Sequence, residues 1–109
     1  MDSHYIDDVL IGLDIPEEGV LSRVLHRDGG VRLVGFAFDT GQELTEHTSA
    51  STAIVQVASG EIDFTVDGST RRMRPRSWLI MPPHRPHSLV AVEPATILLT
   101  LVQSGPNGE

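Results

Sequence analysis

The sequence predicts one all-β domain, a sandwich or barrel of short strands. Glycine, proline and Asx punctuation recurs at intervals of about 8–12 residues, the spacing of such folds. No segment carries a sustained helical stripe. At 109 residues the chain suits a single hydrophobic core and leaves no room for a second.

The strands can be placed in order. Residues 1–19 form an arm; within it, 6–15 mixes apolar and acidic residues before Pro16 and leaves open a short helical turn or an edge strand. Residues 20–27 alternate, Asp28-Gly29-Gly30 turns, and 31–38 resumes β-rich sequence, which together read as the first hairpin. A polar stretch follows Gly41-Gln42 and ends at Ala53, where a strand runs to Ala58 and Ser59-Gly60 turns the chain. Ile62, Phe64 and Val66 then face one side, with Glu61, Asp63 and Thr65 on the other, ahead of the hairpin signal Asp67-Gly68. Residues 71–74 make a short basic strand, and 78–81 a compact apolar one closed by Pro82-Pro83 and Pro86. His87 opens the next strand and 95–102 is the last. The barrel therefore spans 20–102, and 103–109 is expected to be a flexible tail.

Composition removes several function classes. The net charge of −7, with no block of like charges, disfavours nucleic acid and anionic membranes as partners. No apolar run approaches the roughly 18 residues of a membrane span, and residues 1–8 carry acids where a signal peptide is basic, so the expected compartment is the cytoplasm. With no cysteine and no lysine, the chain has no thiolate nucleophile, disulfide, zinc-thiolate site or Schiff-base amine. Histidine, carboxylates and hydroxyls remain.

Two segments carry a resemblance. Gly41, His47 and Gly60 keep the register of the first cupin motif, G-x5-H-x-H-x3,4-E-x6-G. Pro82-Pro83-His84-Arg85-Pro86-His87 resembles the second, P-x-G-x2-H. With the Asp67-Gly68 hairpin between them, the likeness covers about 20–102 and implies the cupin double-stranded β-helix, a jelly-roll barrel. In metal-binding cupins the two motifs supply three histidines and a carboxylate. Here Ser49 stands where the second histidine belongs, Ala53 where the acid belongs, and His84 and Arg76 where the second motif has glycines. Of the family's ligands, only His47 and His87 remain.

Three readings of His47 and His87 stay open. As metal ligands they would hold a divalent transition ion (Zn, Ni, Mn or Fe) loosely, completed by water, Ser49, Glu46, His84 or substrate oxygens. As metal-free groups they would move protons, as in the sugar-epimerase branch of the same fold, an isomerase or oxygenase type of chemistry being the enzyme version. Or they hydrogen-bond inside the barrel in a structural or sensory domain. The leading expectation is a small-molecule-binding barrel centred on this pair, with Phe36, Phe38, Val55, Val57, Trp78, Ile80, Met81 and Leu89 as apolar lining. Gln56 should point away from the cavity and Glu46 opposite to His47, while Arg71, Arg72, Arg74 and Arg76 suit a solvated strand edge. A short barrel with open edges is also expected to pair as a homodimer through an outer strand face.

Overall fold

A computed structural model describes residues 2–103. Nine strands form two antiparallel sheets: β1 (Val20–Asp28), β2 (Val31–Phe38), β3 (Glu43–His47), β4 (Thr52–Ser59), β5 (Ile62–Val66), β6 (Ser69–Met73), β7 (Trp78–Met81), β8 (His87–Ala91) and β9 (Ala95–Val102). One sheet runs β1-β2-β9-β4-β7 and the other β3-β8-β5-β6. After the β1–β2 hairpin the chain crosses between sheets at every connection except the β5–β6 hairpin, giving a single-domain jelly roll. No helix among the described residues is long and apolar enough to cross a membrane. Beyond Gln103 the expected flexible tail lies outside the described residues.

Period-two alternation builds the core. Ile62 and Phe64 of β5 are buried while Asp63 and Thr65, which alternate with them, are not. Phe38, Val55, Ile62 and Ile97 are the largest fully buried side chains, contributed by strands of both sheets. Asp67 and Gly68 both have positive φ, 50° and 80°, as the two-residue β5–β6 turn requires. Gly60 is required twice over: its φ is +74°, and a Cβ there would strike the Pro94 carbonyl oxygen. β3 is the strand that composition does not announce. Its polar residues pair with β8, so the sheet and not local propensity extends them.

The arm consists of turns, with Ile11 and Leu13 N–H donating to Asp8 and Leu10 carbonyls. It lies over the outer face of the larger sheet, where buried Leu13 fills the space left by Gly35, and a Cβ at Gly35 would strike the Leu13 side chain. Asp39 fastens its end: one carboxylate oxygen accepts Glu18 N–H at 2.7 Å, the other accepts Thr40 N–H at 2.9 Å, and Asp39 N–H donates to Gly19 O. The bond from Glu18, then that from Thr40, holds the Asp39 carboxyl below its ordinary value.

A depressed carboxyl contributes stability above its unfolded-state pKa of about 4 and loses it as pH falls through the lower folded value. Asp39→Asn is therefore expected to unfold at lower urea at neutral pH and to flatten the fall in stability below about pH 4. Urea titrations of both proteins across that range check this, and parallel acid limbs would count against the latch.

Candidate functional site

The placement of His47 follows from an irregularity in β3. Leu44 pairs with Leu89 and His47 with His87, so Thr45 and Glu46 together face Ser88 alone. Three residues apart on a regular strand, Leu44 and His47 would face opposite sides; the extra residue returns both to the interior. Glu46 is left on the outer face, lining a cleft with Asp63, Thr65 and Ser88. His87 shares the inward phase of Leu89 and Ala91 on β8, and its ring lies parallel to Phe64 at 6.0 Å.

The two imidazoles meet. Their centroids are 4.2 Å apart with planes at 62°, His87 buried and His47 exposed at the rim. Each ring is held by the backbone two residues upstream: His47 Nδ1 lies 2.8 Å from Thr45 O in β3, and His87 Nδ1 2.8 Å from Arg85 O in the loop before β8. A carbonyl only accepts, so Nδ1 carries the proton and, in the neutral ring, Nε2 carries the lone pair. Two parallel choices of tautomer thus leave two acceptors for a ligand.

The surrounding space is small. Phe36, Leu44, Val55, Met81 and Leu89 line it with the histidines, yet it amounts to about 20 Å³, room for about one water. Several expected lining residues lie elsewhere. Phe38 and Val57 share the inward phase but sit farther along β2 and β4 inside the closed core. Trp78 and Ile80 face outward, because it is Leu79 and Met81 that pair with inward Val55 and Ala53; they are 58% and 51% exposed and border a separate cleft of about 570 Å³ at the seam between β7 and β6. Ser49 lies in the β3–β4 loop, where its Oγ accepts Ser51 N–H, and borders another cleft. Gln56 is exposed opposite Trp78, as its phase requires.

The family's metal does not fit this donor set. Ala53 is buried and has no donor, Glu46 is on the other face, and His84 is exposed in the loop before β8. Among the described residues no group of three or more His, Cys, Asp or Glu could hold an ion. Two imidazoles fall short of the three or four protein ligands of a resident site. The arginines of β6 and the residue after it divide by phase: Arg72 pairs with Asp63 and Glu61 and Arg74 with Glu61, while Arg71 borders the seam.

The two motif glycines are gone, but their backbone geometry is not. Arg76 has φ 78° and His84 φ 67°, the left-handed region that glycine enters freely. Hydrogen bonds hold both, from Arg76 N–H to Val57 O and from His84 N–H to Ser49 O. A side chain in this region costs about 1–2 kcal/mol, against about 0.4–1 kcal/mol of unfolded-chain entropy that glycine adds. Arg76→Gly and His84→Gly are each expected to raise stability by about 0.5 kcal/mol. Denaturant midpoints check this, and a fall in both would show that the side chains hold the turns.

Comparison with known proteins agrees with the fold. A family model described as a cupin domain matches residues 36–102. No curated protein matches the chain. Among solved structures, a conserved protein of unknown function from Streptococcus pyogenes, SPY1581, is 30% identical over 96% of this chain and 92% of its own, with a TM-score of 0.84. A cupin superfamily protein from Desulfitobacterium hafniense (19% identity, 94% of each chain, TM-score 0.83) and KdgF from Halomonas sp. (23%, 98% of each, 0.78) share the fold. Two sheets in jelly-roll order, the spacing of Gly41, His47, Gly60, Pro82 and His87, and the family match lead to one conclusion: the chain belongs to the cupin family.

Proposed function

We propose that this cupin binds a small organic molecule at the rim of its barrel, with His47 and His87 as the polar anchor and without a resident metal. The observation that carries this reading is the pair of Nδ1–H···O=C bonds, which turn two touching imidazoles into two ready Nε2 acceptors. Such acceptors suit a ligand hydroxyl, and either can take a proton from it, the chemistry a catalytic version would use. Because the space beneath the rings holds about one water and His47 is exposed, the ligand meets the pair from the rim.

A panel of small polyols, sugars and hydroxy acids, followed by ¹H–¹⁵N NMR of the imidazoles, tests this. A ligand is expected to shift the Nε2 resonances of both rings, to lose affinity by about tenfold in His47→Ala, as for one lost hydrogen bond to a ligand, and to bind equally after EDTA treatment. Ligands that bind while leaving both rings unperturbed would remove the proposal, and loss of binding on chelation would reinstate a metal.

Self-association is a further part of the proposal. Ile54, Gln56, Trp78 and Ile80 share the outer face of β4 and β7, β7 is an edge strand, and the face carries two large exposed apolar side chains. A second copy covering it would shield both edge and face. Light scattering is expected to give a dimer for the wild type and a monomer for Ile80→Glu; a wild-type monomer over the accessible concentration range would argue against it.

A further inference from the structure

The β1–β2 hairpin sets two like charges face to face. Arg27 and Arg32 are cross-strand partners, so their side chains leave the same face, an arrangement that repels. That face is the inner one. Stepping back by twos along β2 from Phe36, which borders the imidazoles, passes buried Val34 and reaches Arg32, whose neighbour on β9 is Leu101. Among the described residues neither arginine forms an ion pair, and Arg32 Nε is a buried donor with no acceptor. Both border a cleft of about 370 Å³ that also takes in Asp28, Ser49 and Ser51. Within it, Asp28 Oδ1 already accepts Gly29 N–H at 2.8 Å. The cleft follows on from the imidazole pair: His47 borders the inner space and Ser49 the cleft, and Leu99 and Leu101 of β9 divide in the same way.

We infer that this cleft binds the oxyanion, phosphate or carboxylate, of a small organic molecule, with Arg27 and Arg32 as its counter-charges. A guanidinium presents a planar fork of donors that matches two oxyanion oxygens, and an anion between two such forks cancels their repulsion. The cleft is larger than a bare oxyanion needs, which leaves space for the organic body. In naming the ligand of His47 and His87 as anionic, the inference rests on the function proposed above, whereas the arginine cleft itself stands on its own geometry.

The probes are phenyl phosphate, benzoate and, as the uncharged control, benzyl alcohol. Binding is read by thermal shift and by NMR of the arginine and imidazole side chains. At least one oxyanion is expected to bind saturably, to raise the melting temperature of the wild type, and to weaken about tenfold in Arg27→Gln and in Arg32→Gln, as for one lost charge-assisted contact. Preference for phenyl phosphate over benzoate assigns phosphate, and the reverse assigns carboxylate. Without ligand, Arg27→Gln is expected to melt higher than the wild type because one of two opposed charges is gone, so weaker binding by this variant cannot come from a damaged fold. Arginine-dependent binding that leaves the imidazole resonances unmoved supports the cleft and overturns the histidine-centred reading. Oxyanions that bind no better than benzyl alcohol, or equally to the wild type and both variants, overturn the inference.

Discussion

The extra residue in β3 is the constraint on which the rim of the barrel depends. With Thr45 and Glu46 set against Ser88, the strand changes phase between Leu44 and His47, and a polar segment brings a second imidazole to the rim beside buried His87. The bulge also supplies the carbonyl that orients the ring, since Thr45 O accepts from His47 Nδ1. In the loop before the partner strand Arg85 O does the same for His87, again from two residues upstream. Each histidine is thus aimed by its own backbone, and the pair needs no third side chain to fix its tautomers.

The chain keeps the framework of the cupin fold without a full set of metal donors among its described residues. Ser49 and Ala53 stand at ligand positions, and one turned to its own loop while the other joined the core. Arg76 and His84 hold left-handed backbone where the motif has glycine, and tertiary hydrogen bonds from their N–H groups to Val57 and Ser49 offset the local penalty. Backbone geometry in this fold is set by the crossing of strands between sheets, and side-chain chemistry varies upon it.

Most of the fold was legible because alternation and turn chemistry are local. Val31–Phe38, Ile62–Val66 and the Asp67-Gly68 turn are written in consecutive residues. β3 was not, since Glu43–His47 has no apolar period and becomes a strand only against β8. The meeting of His47 and His87 was readable through motif spacing, but the size of the space between them depends on how Phe36, Val55 and Met81 fill it, which no spacing reports. Trp78 could have been placed: it has the opposite parity to Met81, and only one of them can face inward. Arg32 was hidden differently. Its phase matches Val34 and Phe36, yet a lone arginine near a hairpin turn reads as solvated until its cross-strand partner proves to be another arginine.

The arm is held by the Leu13 socket over Gly35, by the Asp39 latch just after β2, and by the ring of His4 stacked on His26 of β1. None of these anchors belongs to the ladders of the two sheets, so the segment can detach as a unit while the sheets stay folded. Its release would strip cover from the outer surface of β1, β2 and β9, where Leu33 and Val31 contribute to the arm's bed, and expose that apolar face. Handling conditions that loosen this strap would thus favour clumping of a barrel that is still folded.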